Sequence, residues 1–491
     1  MTNRAKSSTQ KKNSGRGPIV ALIMVLVIMC AGLGYFIWKH RDSIPTMAGV
    51  NENKNPSNGF QETGDEILDQ ANRLAAMYDY DQAIELLKGQ SGYEQNITYT
   101  KAVEEYEQKK SELKKWSDNT KITHIFFHTL IVDTDLAFDG DSDADDYNQV
   151  MTTVDEFKKI IQEMYERGFV LVNLHDIAKI ETQADGTEKM VAQPIMLPEG
   201  KTPFVLSQDD VSYYEYMTGD GFAKRLIIDE NGKLTNEYVQ EDGTTVTGSY
   251  DVLPILEDFI EEHPDFSYRG AKGILALTGY NGVFGYRTSD FWYNPDCDYF
   301  IDSEKNIAER AKMEYPNENI EQDKETAKKI AQAIKELGWE LASHSWGHPN
   351  LGECDIDRFK WDTDMWEKEV EPILGDTDIM IFPKGADVGT WRGYEEDNER
   401  YAYLKEAGFR YFCNVDSSQY WVQISNDYFR QGRRNLDGTR MYEVVCGKRD
   451  LLSDLFDAKE VFDPARPTPV KGVLEEGEKQ GSQTTSSKAS E

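Results

Sequence analysis

The chain opens polar and basic, then runs from Ile19 to Trp38 without a single charged side chain. A helix of that length spans roughly 30 Å, the thickness of a bilayer's hydrocarbon core, so the pattern predicts a transmembrane helix over 19–38 after a basic tail at 1–18. A cleaved signal peptide is the rival reading, but the apolar run is long and no Ala-x-Ala site follows it. Residues 39–64 are rich in Asn, Pro, Gly and Ser and read as a stalk. Helical spacing then returns at Ile67, Leu68, Ala71, Leu74 and Ala75, again at Tyr80, Ala83, Ile84 and Leu87, and Val103 to Trp116 forms a charged third helix. Residues 65–118 are therefore expected to be a helical spacer containing one tetratricopeptide-like hairpin. No second copy follows, so a peptide-binding array is not expected, although this segment could still recruit a protein partner.

From Lys121 the periodicity alternates between strand and helix. Thr123 to Phe127 is a β-rich run. Thr153-x-x-Glu156 forms a capping box ahead of Phe157, Ile160, Ile161 and Met164 on one helical face. Gly168 ends that helix and Phe169 to Leu174 follows as a strand. The same helix, glycine, strand order recurs around Gly338 before Trp339–Ser343, and around Gly408 before Phe409–Phe412. Pro203–Ser207, Gly273–Thr278 and Asp378–Phe382 supply further strands. Repeated βα units of this kind predict an α/β fold with a parallel sheet over 121–457. The segments 212–250, with a hairpin signal at Asn231-Gly232, and 280–322 look like insertions, and 458–491 is expected to be a disordered tail.

Charge refines the picture. The 491 residues carry 54 Lys and Arg against 88 Asp and Glu, a formal charge of −34, and seven of those bases lie before Asp42 with no acid among them. A basic flank before an apolar span stays cytoplasmic, which places the acidic remainder outside the cell membrane. The strong net acidity, with positive charge concentrated in the first residues, argues against nucleic acid as a partner. Cys297, Cys354, Cys413 and Cys446 are too sparse for a disulfide scaffold and read as free thiols, with one bridge possible.

Two short motifs carry the candidate chemistry. Ser343-His344-Ser345-Trp346-Gly347-His348 places two of the seven histidines four residues apart after a strand, a spacing that lets two imidazoles face one metal ion. Pro203-Phe204-Val205-Leu206-Ser207-Gln208-Asp209-Asp210 delivers two adjacent carboxylates at the end of another strand, where α/β folds place their ligands. Together they offer three protein ligands with a fourth position open, the donor set of a hydrolytic metal site.

These residues resemble the polysaccharide deacetylases of carbohydrate esterase family four. Ser207-Gln208-Asp209-Asp210-Val211 is similar to the family's Thr-Phe-Asp-Asp-Gly, and His344-Ser345-Trp346-Gly347-His348 matches its His-Ser/Thr-x-x-His. The resemblance implies a distorted (β/α) barrel, a divalent ion such as zinc on Asp210, His344 and His348, Asp209 as catalytic base, and an N-acetylated polysaccharide as substrate. Two positions depart from the family: Ile381 stands where an arginine orients the catalytic Asp, and no histidine follows His348 to act as general acid. The permuted poly-N-acetylglucosamine deacetylases draw that histidine from the first strand, and Ile125-Phe126-Phe127-His128-Thr129-Leu130 is similar, which makes His128 the candidate acid. Arg287 is either a surface residue or a stand-in for the missing arginine. Trp346, Tyr280, Trp292, Trp421 and Pro383 are candidate sugar contacts, while His124 and His175 are expected to be structural. A degenerate sugar-binding fold and a surface scaffold are the alternatives to an enzyme.

Overall fold

The computed structural model describes Phe60, residues 62–294, Cys297, and residues 319–395 and 397–473. The expected transmembrane helix at 19–38, the basic tail and most of the stalk lie outside the described residues. Among those described, no helix is long and apolar enough to cross a membrane.

Seven parallel strands close on themselves. They are β1 (Thr123–Phe127), β2 (Thr202–Gln208), β3 (Ile274–Leu277), β4 (Glu340–Ser343), β5 (Ile379–Ile381), β6 (Tyr411–Val415) and β7 (Phe429–Asn435). Each pairs with the next in chain order, and β7 returns to β1 through Arg434 opposite Ile125. Closure leaves no open edge in this ring, and strands buried on both faces explain the continuous apolar runs. Along the strands Val205, Ala276, Ala342, Ile381 and Cys413 pack on one side. They alternate with Leu206, Leu275, Leu341, Met380 and Phe412, which pack beneath the helices. The inward parity also carries polar groups. His124 contacts Ser207 Oγ at 2.9 Å and Gln431 Oε1 at 3.2 Å, and burial with the Arg433 charge pushes its pKa down, so it is neutral.

The strand expected at 169–174 forms only over Phe169–Leu171, beside the start of β2 and outside the ring. The insertion at 212–250 folds as a three-stranded antiparallel sheet, with Gly232 at positive φ in the turn between its first two strands. Cys354, Cys413 and Cys446 carry free thiols.

Two sequence expectations change. Helices α1 (Glu66–Ala76), α2 (Tyr80–Lys88) and α3 (Ile97–Glu112), expected as a helical spacer, are packed onto the rest of the fold. Ala71, Ala83, Leu87 and Val103 share one buried core with Val170, Leu174 and Ile195. Arg269 donates its backbone N–H to Met77 at 2.7 Å and its guanidinium to Asp79 at 3.0 Å. The expected tail also begins too early, because residues 458–473 are packed. Val461 and Val470 are fully buried, and Arg466 forks onto Glu156 at 2.6 and 2.7 Å in the helix α4 (Val154–Glu166). A polar, proline-rich average concealed these few anchoring side chains.

Candidate functional site

The C-terminal ends of the strands bring the two motifs together. Asp209 and Asp210 leave β2, His344 and His348 leave β4, and the backbone bonds Asp209 N–H to Phe127 O (2.8 Å) and His344 N–H to Leu277 O (2.8 Å) fix them to neighbouring strands. One ligand atom each from Asp210, His344 and His348 lies within 4.8 Å of the others, and His348 Nε2 stands 3.9 Å from Asp210 Oδ2. Ligands about 2.0–2.2 Å from a tetrahedral zinc ion sit a little over 3 Å apart, so this set fits a divalent cation after slight contraction.

Each ligand is oriented from behind. His344 Nδ1–H donates to the Ile381 carbonyl at 2.7 Å, which fixes the tautomer and leaves Nε2 to face the cluster. Asp210 Oδ1 accepts from Tyr214 Oη at 2.5 Å, and that phenol also meets Thr278 Oγ1 at 2.6 Å. Asp362 and Glu369 lie on one face of helix α7 (Ile356–Glu369), which follows α5 (Val252–Glu262) and α6 (Ile320–Glu336) in chain order. The two Asp362 oxygens accept the Trp346 and Gly347 backbone N–H groups at 2.9 Å each, and Glu369 accepts the Trp346 indole N–H at 2.7 Å. A Cβ at position 347 would come within 2.9 Å of Asp362 Oδ2 and Arg358 Nη2, so a larger residue there would have to displace the carboxylate that holds the loop.

Backbone strain gathers at the same place. Eight non-glycine residues among those described have positive φ, and five of them, Asp210, Tyr213, Ser345, His348 and Lys384, stand in the loops after β2, β4 and β5. Such conformations cost on the order of 1–3 kcal/mol each and persist where the surroundings enforce them. At Asp210 the turn separates the directions of two adjacent carboxylates.

Asp209 takes a different partner from Asp210. Arg433 on β7 grips it with both arms, Nη1 to Oδ1 at 2.6 Å and Nη2 to Oδ2 at 2.9 Å, and also reaches Ser207 Oγ at 3.1 Å. Burial opposes ionisation of Asp209, yet the Arg433 charge, helped by His344 and His128, holds its pKa well below the usual carboxylate range. Burial likewise opposes ionisation of Asp210, and His348, His344 and His128 outweigh it. His128 donates Nδ1–H to the Val150 carbonyl at 3.1 Å, leaving Nε2 for proton exchange.

The arginine that meets Asp209 is Arg433 and not Arg287. Arg287 instead donates to the backbone carbonyls of Ser212, Asn281 and Tyr213 at 2.6–3.3 Å. Trp346 is 2% exposed and pinned by Glu369, so it offers no face to a sugar. Pro383 is buried after β5, and the Arg430 guanidinium covers Trp421 at 4.9 Å. Tyr280 and Trp292 are half-buried in edge contact at 5.9 Å. His175 lies at the opposite end of the barrel between Glu340 and Asp378, which begin and precede β4 and β5. Sequence reasoning missed Arg433, Tyr214 and Asp362. The one available signal was three arginines within Phe429–Asn435, in a chain short of basic residues.

Fold and site define a closed parallel (β/α) barrel with a carboxylate and two histidines at its C-terminal mouth. No protein-family model matches the sequence, and no curated protein does. Among solved structures, the chain is similar to the Streptococcus pyogenes deacetylase PplD in complex with acetate, at 11% identity and a TM-score of 0.32, covering 67% of this chain and 95% of that one. It is also similar to BA0330 from Bacillus anthracis, described as a polysaccharide deacetylase, at 9% identity and a TM-score of 0.31, covering 67% of this chain and 66% of that one.

Proposed function

We propose that this protein is a metal-dependent hydrolase that removes acetyl groups from the amide nitrogens of a cell-surface polysaccharide, and that residues 19–38 anchor it with the barrel outside the membrane. The observation that carries the chemistry is the convergence of Asp210, His344 and His348, with Asp209 beside them and 3.9 Å from His344. Zinc suits this donor set, and when bound such an ion polarises an acetyl carbonyl and acidifies water. Asp209, kept ionised and aimed by Arg433, accepts the proton of the attacking water. His128, protonated at Nε2, donates to the departing amine. The sequence order supports the permuted deacetylase type for this role, since His128 directly follows the first barrel strand. The basic residues ahead of Ile19 support the orientation.

Metal content and acetate release from acetylated glucosamine oligomers test the reading. His344→Ala and Asp210→Asn should empty the site. Asp209→Asn and His128→Gln should retain metal while slowing turnover on the order of 10² or more. Acetate release that survives complete metal removal would refute the mechanism.

A further inference from the structure

The short helix Ala144–Val150 ends beside His128, and its last carbonyls have no partner within the helix. Side chains from distant parts of the chain take them up one by one. Arg466 Nη1 donates to Asn148 O at 3.0 Å, Thr439 Oγ1 to Gln149 O at 3.0 Å, His128 Nδ1 to Val150 O at 3.1 Å, and Arg466 Nη2 to Met151 O at 2.6 Å. The acceptor that orients His128 therefore lies between two carbonyls held by a single guanidinium. That guanidinium comes from the segment after the barrel, 318 residues beyond Asn148 in the chain.

The side chains of Arg466 and Glu156 are 0% exposed, and their fork fixes the plane of the guanidinium. Its remaining N–H reaches Asn148 Oδ1 at 3.1 Å, while Asn148 Nδ2 donates back to Pro467 O at 2.8 Å. All five N–H donors of Arg466 are thus engaged, a pattern that the three donors of a lysine ammonium do not reproduce. A Cβ at Gly438 would come within 2.0 Å of Asn148 O and 2.6 Å of Arg466 Nη1, so the backbone after β7 encloses the same joint. An imidazole that protonates a leaving group from Nε2 needs its Nδ1–H held, because that bond sets both the ring direction and the nitrogen that exchanges the proton. Misplacing such a group by about 1 Å costs on the order of 10² in rate.

We propose that Arg466 is a positioning residue for His128: by gripping the carbonyls on either side of Val150 it aims the imidazole that protonates the departing amine. The role rests on the hydrolase reading, and its test separates the two. The zinc-loaded full-length protein in detergent is assayed with acetylated glucosamine oligomers, whose amine leaves only with a proton, and with p-nitrophenyl acetate, whose phenolate leaves without one. Arg466→Lys should slow kcat on the oligomers about tenfold or more at similar KM and metal content, and change aryl ester hydrolysis far less. In a His128→Gln background the same substitution should add little, since the group it aims is already gone. Asn148→Ala keeps the buried Arg466–Glu156 pair, should shift the two substrates in the same unequal way, and carries the test if Arg466→Lys does not fold. Nitrogen NMR of histidine-labelled protein, above the histidine titration range and with the His128 signals identified by their loss in His128→Gln, should show the Nδ1–H tautomer in the wild type and a mixture in both variants. Equal slowing of both substrates, full additivity with His128→Gln, or an unchanged His128 tautomer would each overturn the positioning role. If the tautomer shifts but the wild type releases acetate from neither substrate, Arg466 still orients His128 and the hydrolase reading fails.

Discussion

Arg433 and Asp209 are 224 residues apart in the chain and form a bidentate pair at 2.6 and 2.9 Å inside the barrel, with side chains 1% and 3% exposed. The pair keeps a charged acid in a place where burial alone would neutralise it. Because β7 closes the ring against β1, the guanidinium arrives from a strand quite distant from the Ile381 position, where the sequence had suggested a gap.

Arg433→Met should therefore be costly twice over. Leaving Asp209 buried without its partner is expected to lower stability by about 3–5 kcal/mol in chemical denaturation. The folded pKa of Asp209 lies below its unfolded value, so its stabilising contribution is present above about pH 4 and fades as pH falls through the folded value. In the variant that pKa rises, and the acid limb of any remaining acetate release should move to higher pH than in the wild type.

Asp362 acts at one remove, through the backbone between the two histidines. The amide that replaces its carboxylate in Asp362→Asn would point a donor at the Trp346 or Gly347 N–H, so this variant should weaken metal affinity by about 10–100-fold in a competition titration. Asp362→Glu should recover part of the loss if the carboxylate reaches the same two N–H groups.

His175 makes stability pH-dependent at the other end of the barrel. Burial opposes its charge, but hydrogen bonds to Asp378 and Glu340 prevail and push its pKa up to about 10. A raised folded value contributes stability that is complete below the unfolded pKa of about 6.5 and is lost as pH rises through 10. The destabilisation caused by His175→Gln should accordingly be largest at pH 6, shrink between pH 6.5 and 10, and be smallest near pH 11, as read from urea midpoints.

Deleting residues 65–112 should not yield an autonomous barrel. Val170, Leu174 and Ile195 would lose the apolar partners contributed by Ala71, Ala83, Leu87 and Val103. The expected result is an insoluble protein or one with a broadened, lower-temperature unfolding transition, and a cleanly folded active fragment would contradict it.

The sequence alone determined the parts whose geometry is local. Adjacent aspartates at a strand end, histidines four apart in one loop, a capping box and alternating βα periodicity are each set by neighbouring φ and ψ angles, and each is found where the pattern put it. Tertiary structure decided which distant groups serve them. Arg433 meets Asp209 because strand register brings β7 and β2 to either side of β1, which one strand's pattern does not encode. Trp346 resembled a sugar contact in the motif, but the carboxylates of α7 turn it inward. The helices at 66–112 read as a spacer because their amphipathic spacing reveals one apolar face and not what covers it.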